Sequence, residues 1–225
     1  MPPRAGLASS ALPEVPSPLA AEDLPSGVST RNALSANPTQ RRKPDPLSRW
    51  YVLRATYGRE KQAYDYMISQ GITAFYPTIK TVKLIDGKRR KVTESRLPNI
   101  FFAYGTEAII KGYVYDNAHL SYLRFYYRPA SLDGREEKIP LVVPDRQMES
   151  LMIICDSEEK DTIVSAGAVQ KFEKGQLVKV TGGEFEGFVG RVARYKGQQR
   201  VGLVIGDFLT AATTYVPSGL LKKIE

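Results

Sequence analysis

The sequence predicts an α+β protein that continues into a small all-β unit. Short runs of aromatic and β-branched residues indicate strands, and two amphipathic segments indicate helices. The carboxy-terminal residues contain glycine-broken strands and no pattern of helical length. We therefore expect an antiparallel sheet flanked by helices over 49–155, a linker over 156–171, and a small β-barrel over 172–225.

The composition of the chain limits the classes of protein and of partner that are expected. The chain of 225 residues has an ordinary hydrophobic content of 42%, a formal net charge of +8 and a pI near 9.5. Such a charge favours polyanionic partners such as nucleic acid. The single cysteine, Cys155, excludes an internal disulfide or a cysteine-cluster metal site and is typical of a reducing cytoplasm. Neither a membrane-spanning run nor the apolar core of a secretory signal is recognised, so a cytoplasmic location is expected.

Residues 1–48 are expected to form a disordered tail. They are rich in Pro, Ala and Ser and contain no Tyr, Phe or Trp. Such a segment buries too little apolar surface to offset the loss of chain entropy. The functional part of the chain is therefore expected to begin at Arg49.

The first elements of the central domain follow from local pattern. The run RWYVLRAT predicts a strand, and the helix formers after it predict a helix that ends at Gly71. Asp86 and Gly87 lie between two extended runs, which is a strong signal for a tight hairpin turn. A β-hairpin with the basic residues KRRK beside its tip is therefore predicted.

The later elements alternate between strand and helix signals. The runs LPNIFFAYG, LRFYYRP and IPLVVP predict strands, whereas the segment over 106–119 is ambiguous. A second helix is predicted after Pro144, with Asp145 as its cap. Its apolar positions recur at helical spacing: Met148, Leu151, Met152 and Cys155.

Glycines separate the predicted strands of the barrel. Gly182 and Gly183 are expected to supply a turn, and Gly187 and Gly190 to permit a positive φ or a close backbone approach. This segment lacks the G-K-[ST] ending of a phosphate-binding loop and no helix follows it. A structural role is therefore expected for these glycines.

The sequence does not favour catalysis. His119 is the only histidine, so neither a Ser-His-Asp set nor a histidine-rich zinc site can be assembled. Cys155 lies on the apolar stripe of a predicted helix, where a small buried hydrophobe is expected. We predict a protein that is not an enzyme and that uses no metal or cofactor.

Two parts of the chain resemble one family of transcription factors. GQLVKVTGGEFEGFVGRVARYKG resembles a KOW motif, which some ribosomal proteins also carry. RWYVLRATYGREKQA, FYPTIK, the basic hairpin and RLPNIFFAY are similar in order and spacing to the NGN domain of NusG. The runs LPNIFF, PLVVPDRQMESLM and ATTYVPSGLLKKI further resemble the UpxY-type antiterminators of capsule polysaccharide operons.

This resemblance implies a fold and a function. An NGN domain is an antiparallel sheet flanked by helices, and a KOW domain is a small SH3-like β-barrel. Proteins of this kind bind RNA polymerase through the NGN domain and suppress pausing or termination without catalysis. Implied further partners are the non-template DNA strand or the nascent RNA leader, and a ribosomal protein or Rho through the KOW barrel. A monomer that does not contact a membrane is expected.

The resemblance also implies a polymerase-binding surface, expected to stay uncovered in the free protein. Matched positions place it on Tyr51, Phe75, Tyr76, Leu97, Pro98, Ile100 and Phe101. The chain has Pro98-Asn99-Ile100 where the family pattern reads Pro-Gly-Tyr. The neighbouring turn favours exposure of Leu97, Pro98 and Ile100. For Tyr51, Phe75 and Phe101, packing in the core is at least as well supported by strand alternation.

Basic residues suggest two further sites. Residues 80–96 hold seven Lys or Arg and two acids, a net charge of +5. The predicted nucleic-acid contacts are Lys88, Arg89, Arg90 and Lys91. Charge on a hairpin edge can equally serve only to prevent strand aggregation. The KOW-like residues are Lys179, Gly187, Arg191, Arg194 and Lys196, and outward charges on strands are common without a ligand.

Two functions from different classes remain open on the sequence alone. One is a NusG-like elongation factor or antiterminator that acts on RNA polymerase, with an operon-specific role suggested by the UpxY-type runs. The other is a ribosomal-type KOW protein whose basic barrel packs against structured RNA. The aromatic α+β domain favours the first, because a ribosomal KOW protein does not need it.

Overall fold

A computed structural model of the chain describes residues 45–132, 134–157 and 159–224. The predicted disordered tail lies outside these residues, apart from its last four positions. The architecture is α+β, as the sequence predicts. Among the described residues no helix has the length and apolar character needed to cross a membrane.

Helices and strands alternate along the central domain and give way to strands. The α-helices are α1 (Glu60–Ser69), α2 (Glu107–Tyr115) and α3 (Asp145–Asp156), and short 3-10 turns span Ala118–Leu120, Gln170–Phe172 and Ser218–Leu220. In chain order the strands are β1 (Arg49–Ala55), β2 (Thr73–Phe75), β3 (Thr78–Ile85), β4 (Lys88–Ser95), β5 (Ile100–Gly105), β6 (Leu123–Phe125), β7 (Tyr127–Leu132), β8 (Arg135–Pro140), β9 (Val142–Val143), β10 (Ile163–Ala166), β11 (Leu177–Val180), β12 (Val189–Tyr195), β13 (Gln198–Ile205), β14 (Leu209–Ala212) and β15 (Leu221–Lys223).

The central sheet is antiparallel and has β1 near its middle. Its order is β2-β5-β1, and β6 and β9 pair with successive halves of the other edge of β1. Successive side chains on β1 point to opposite faces, so Trp50 and Val52 lie on one face and Tyr51 and Leu53 on the other. Both sets are buried, and the sheet is therefore covered on both sides.

Helices α1 and α2 cover the face that carries Tyr51 and Leu53. The ambiguous segment over 106–119 forms α2, whose Thr106 hydroxyl accepts a hydrogen bond from the backbone N–H of Ile109 at 3.5 Å. Helix α1 ends before Gly71, which has a φ of +79°. The core on this side contains Tyr51, Leu53, Ala55, Ala63, Met67, Ala74, Phe101, Ala103, Ile110, Val114, Leu120, Leu123 and Phe125.

Helix α3 lies at the boundary between the central sheet and the carboxy-terminal strands. It begins at Asp145, with Pro144 in the cap position, so Asp145 is the first helical residue and not the predicted cap. Met148, Leu151 and Ile154 are buried, whereas Met152 and Cys155 are half-buried. The buried face of α3 therefore includes Ile154, which is not among the apolar positions predicted from the sequence.

Two hairpins lie outside the central sheet. Strands β3 and β4 pair over their full length and turn at Asp86 and Gly87, whose φ angles are +51° and +73°. Positive φ at both turn positions matches the right-handed twist of the flanking strands, and the predicted tight hairpin is confirmed. The second hairpin is formed by β7 and β8, and it is not among the elements predicted from the sequence.

The carboxy-terminal strands form a six-stranded antiparallel sheet of order β10-β14-β13-β12-β11-β15. In the described part of the chain this path stays open, because β10 and β15 do not pair, so the sheet is not the closed barrel expected. Strand β10 lies inside the predicted linker, 156–171, and pairs with β14. A Cβ atom at Gly190 would lie 2.5 Å from the carbonyl oxygen of Gly202, so this close approach requires glycine.

Candidate functional site

The most distinctive surface is the sheet face that carries Trp50, and the carboxy-terminal unit packs on it. We call it the covered face and define it by Trp50, Val52, Phe75, Leu97 and Phe102, all of them buried. One continuous hydrophobic core joins this face to α3 and the carboxy-terminal sheet. The central domain and the all-β unit therefore pack together through apolar surface.

Aromatic rings carry much of this packing. Phe208 lies in the turn between β13 and β14, and its ring centroid is 6.5 Å from that of Phe102 and 4.9 Å from that of Tyr126. The rings of Phe75 and Phe102 are 6.2 Å apart. Such tilted pairs add to the free energy gained from area burial, by about 0.5–1.5 kcal/mol each.

Hydrogen bonds also cross between the two units. The Ser150 hydroxyl of α3 accepts a hydrogen bond from the backbone N–H of Val189 at 3.0 Å and donates to the carbonyl oxygen of the same residue at 3.2 Å. Ser150 is buried, so this pairing satisfies groups that have lost contact with water. Arg96 donates from Nη1 to the Thr162 hydroxyl at 2.9 Å, just before β10.

A buried arginine holds the start of β10 against the carboxy-terminal sheet. Arg200 is 2% exposed, and its Nη1 donates to the carbonyl oxygens of Asp161 at 2.7 Å and Thr213 at 3.2 Å. Its Nη2 forms an ion pair with the Asp161 carboxylate and donates to Gln198 at 2.9 Å. The segment between α3 and β10 is therefore fixed at both Thr162 and Asp161.

The predicted polymerase-binding residues do not share one surface. Tyr51 and Phe101 are buried on the helix side of the sheet. Phe75 and Leu97 belong to the covered face, and Ile100 packs against its core while half-buried. Strand alternation explains this division, because neighbouring residues on β1 and β5 face opposite sides.

The expected exposure of the surface is wrong for most of its residues. Leu97 is 2% exposed because it packs into the core shared with the carboxy-terminal unit. Tyr76 is half-buried, with its hydroxyl 3.4 Å from Oε1 of Glu60. Pro98 is exposed, as expected. The predicted polymerase-binding surface is therefore largely covered in this arrangement, and Pro98 is the one residue of the seven that is fully exposed.

The basic hairpin is exposed. Lys88, Arg89, Arg90 and Lys91 all lie on β4 and are open to solvent. Alternation along the strand places Arg89 and Lys91 on one side of the hairpin and Lys88 and Arg90 on the other. The structure therefore divides the four predicted nucleic-acid contacts into two pairs.

The KOW-like cations are exposed but do not form a single cluster on one face. The register of β11 and β12 places Lys179 and Arg191 on the same face. Arg194 lies three residues beyond Arg191 and points to the opposite face. Arg191 donates to the Gly175 carbonyl oxygen at 2.8 Å, and Lys196 lies over the Tyr195 ring. Gly187 has a φ of +89°, which fits its predicted role in the turn.

The lone thiol is held in a protonated state. Burial raises the pKa of Cys155 to about 12, and the nearby Arg96 lowers it by less. A thiolate is the reactive form of cysteine, so this thiol is a poor nucleophile near neutral pH.

Part of the central domain resembles a known family. Residues 48–152 match the NusG family model, described as transcription termination factor nusG. The match spans 105 of the 225 residues, so the similarity to this family is a property of the central domain.

A solved structure of NusG from Thermotoga maritima, described as showing domain interaction, is similar to this chain. The similarity covers 79% of this chain and 98% of that one, with 18% sequence identity and a TM-score of 0.37.

Several residues of the covered face are absent from the set predicted from the sequence. Trp50 and Phe102 are central to it, and Phe208 is the carboxy-terminal ring that packs on it. The alternation of β1 and β5 pairs Trp50 with Tyr104 and Val52 with Phe102, so a strict period of two identifies this face. Nothing in the local pattern around Phe208 indicates its partner.

Proposed function

We propose that this protein is a NusG-type elongation factor or antiterminator that binds RNA polymerase through its central domain, which resembles the NusG family. The single observation that carries the proposal is the family match over residues 48–152. The apolar covered face supports it, since large aromatic and aliphatic side chains are the anchors that protein interfaces favour. Bound polymerase is expected to lose pausing or termination, without any chemical step by this chain.

Binding through the covered face requires the carboxy-terminal unit to move away. Phe75, Leu97 and Phe102 cannot contact a partner while Phe208 and its neighbours pack on them. Polymerase and the carboxy-terminal sheet are then competitors for one apolar surface. The affinity for polymerase is reduced by the fraction of molecules in the closed arrangement.

Within this function we propose a specialised role at particular operons. The UpxY-like runs in the sequence support antitermination at capsule polysaccharide operons, with recruitment through the non-template DNA strand or the nascent RNA leader. The KOW-like strands are then free, after separation, to bind a ribosomal protein or Rho. The basic hairpin supports a nucleic-acid contact close to the polymerase-bound domain.

Transcription in vitro across a pause site and a terminator tests the proposal. Full-length protein is added to purified bacterial RNA polymerase, and readthrough is measured beside the variants Ile100→Glu and Ile109→Glu. Ile100 packs against the covered face, whereas Ile109 is 49% exposed on α2, so the second variant is the matched control. We expect readthrough to rise with the wild type and with Ile109→Glu and to be lost with Ile100→Glu. No change with the wild type contradicts the proposal.

The second candidate is a ribosomal-type RNA-binding protein, favoured by the exposed cations of the hairpin and of β12. Co-purification separates the two candidates, because phosphate contacts weaken steeply with salt and apolar docking does not. Recovery with RNA polymerase in salt that removes basic proteins from ribosomal RNA supports the elongation factor. Recovery only with ribosomal particles supports the alternative.

A further inference from the structure

A groove lies where the start of α3 meets the carboxy-terminal sheet. It encloses about 490 Å³, and we call it the α3 groove. Pro144, Arg146 and Gln147 line it on the side of α3. The sheet contributes four aliphatic residues that are only half-buried: Leu177, Val189, Val204 and Ile224. Apolar surface left in contact with water inside a concave site is typical of a surface that a ligand or another chain segment covers.

The α3 groove is basic as well as apolar. Arg146 and Arg191 line it, and Glu173 is the only acid among the described residues that do so. Strands β11, β12, β13 and β15 contain no Asp or Glu. The register places Lys179 and Lys222 opposite each other, on the face that also carries Arg191. The groove therefore favours a ligand that combines carboxylates with aliphatic side chains.

The chain enters the described structure beside this groove. Strand β1 pairs with β9 in antiparallel register, with Trp50 opposite Val143, so Arg49 comes next to Pro144. Pro144 lines the α3 groove. Residues 1–44, which precede the described part of the chain, are therefore attached close to the groove.

One stretch of those residues has a composition that complements the groove. Residues 12–23, LPEVPSPLAAED, contain three acids and no Lys or Arg. No basic residue occurs between Arg4 and Arg31, although the whole chain has a formal net charge of +8. The other side chains of the stretch are mainly aliphatic or proline. Such a segment cannot form a core of its own but can order on a surface that accepts it.

We propose that residues 12–23 dock in the α3 groove of the same chain. Their prolines favour the polyproline II conformation, which has three residues per turn. In that conformation Leu12, Val15 and Pro18 share one edge, and Glu14 lies on another. The apolar edge covers the aliphatic lining of the groove, and the acids of the segment pair with its two arginines.

The connection between the segment and the domain is long enough for this contact. Residues 24–44 span about 25 Å on average as a flexible chain, and up to about 70 Å when extended. Tethering at such a distance gives an effective concentration in about the millimolar range. A contact with a Kd of about 0.1 mM is then occupied in about nine molecules out of ten, so a weak interaction suffices.

Docking has a consequence for the closed arrangement. The α3 groove is lined by both α3 and the carboxy-terminal sheet, so a segment bound there stabilises the packing of the two units. If polymerase competes for the covered face, the docked segment lowers the affinity for polymerase. This consequence rests on the proposed function, whereas the contact itself does not.

Proteolysis of the full-length protein tests the contact. A glutamate-specific protease cleaves after Glu14, and the initial rate is compared with that for a synthetic peptide of residues 5–30. We expect cleavage in the protein to be about tenfold slower, because it follows the population of undocked segment. The protection is expected to be independent of protein concentration, since segment and groove belong to one chain.

Two charge-reversal variants leave the sequence around the cleavage site unchanged. R146E/R191E reverses the charge of the groove and is expected to raise the cleavage rate about fivefold or more. The matched control R128E/R135E makes the same change on the exposed β7–β8 hairpin, outside the groove lining. It is expected to change the rate by less than about twofold, because distant surface charges are largely screened.

The variant V204S/I224S tests the apolar part of the contact and should raise the rate about threefold with no change in charge. Circular dichroism checks that each variant is folded. Equal rates for wild-type protein and peptide would overturn the proposal, and so would equal effects of R146E/R191E and R128E/R135E. Protection that appears only at high protein concentration would overturn it in favour of the segment of a second copy.

The assay contains no polymerase, so its failure leaves the proposed function intact. Conversely, a protein that protects Glu14 as described but never changes readthrough refutes only the proposed function.

Discussion

Phe208 of the carboxy-terminal unit packs against Phe102 of the central domain, with ring centroids 6.5 Å apart. This contact joins two parts of the chain that the sequence presents as separate domains. Both rings are buried in one core that extends from Trp50 to Val216. The arrangement makes the stability of each unit depend on the other, and it removes an apolar face from solvent.

Phe208→Ala is expected to destabilise the protein by about 3–5 kcal/mol, because it deletes a buried ring and leaves a cavity between the units. Chemical denaturation followed by circular dichroism measures the free energy of unfolding. Tyr215→Ala, at a residue 55% exposed in the same unit, is the control and should change stability by less than about 0.5 kcal/mol. Equal effects of the two substitutions would show that Phe208 is not part of a shared core.

Ser150→Ala tests the polar tie between α3 and β12. The substitution leaves the half-buried Val189 N–H without its hydroxyl partner, which should cost about 1–3 kcal/mol of stability. Thermal unfolding of the full chain measures the loss, with the exposed Ser131→Ala as control. A melting temperature unchanged in Ser150→Ala would mean that water replaces the hydroxyl and that the tie is not needed.

Asp161→Ala should also destabilise the chain, because Arg200 is 2% exposed and loses the carboxylate that pairs with it. Asp161 itself is 63% exposed, so we expect no more than about 1.5–3 kcal/mol, the range for hydrogen bonds to charged groups. Asp65→Ala removes an exposed partner of Lys61 and should cost less than about 0.5 kcal/mol. If both variants unfold at the same denaturant concentration, Arg200 does not fix the start of β10.

Cys155 offers a chemical probe of the closed arrangement. Burial raises the pKa of its thiol to about 12, so a disulfide reagent at pH 8 should react far more slowly with native protein than with protein in denaturant. In the unfolded chain the pKa of a cysteine thiol is about 8.5. Because the pKa of Cys155 is raised in the folded protein, its contribution to the free energy of unfolding is complete below pH ~8.5. That contribution is lost as the pH rises toward about 12. Native and unfolded rates that agree would contradict this burial.

Structural features that depend only on neighbouring residues can be predicted from the sequence. The turn at Asp86 and Gly87 is local, since both residues adopt the positive φ that the dipeptide favours. The resemblance of the central domain to the NusG family is likewise carried by contiguous runs, and the family match bears it out. Strand alternation already separates Tyr51 from Trp50. These features need only neighbouring residues to define them.

What the sequence does not predict comes from contacts between distant segments. Leu97 has the local setting of an exposed turn residue, but the carboxy-terminal unit covers it. Strand β10 reads as an irregular polar linker and becomes a strand because β14 supplies its partner. In the described residues β10 and β15 stand at the two ends of the sheet and do not pair, an outcome that depends on how all six strands are arranged. These contacts join residues that are far apart in the chain, so no short stretch of sequence predicts them.

The most direct test of the central claim is the affinity of purified RNA polymerase for full-length protein, measured for wild type, Phe208→Ala and the control Tyr215→Ala. If the carboxy-terminal unit and polymerase compete for the covered face, Phe208→Ala binds polymerase about tenfold or more tightly than wild type, and Tyr215→Ala binds like wild type. An affinity that is unchanged or weaker in folded Phe208→Ala contradicts the claim.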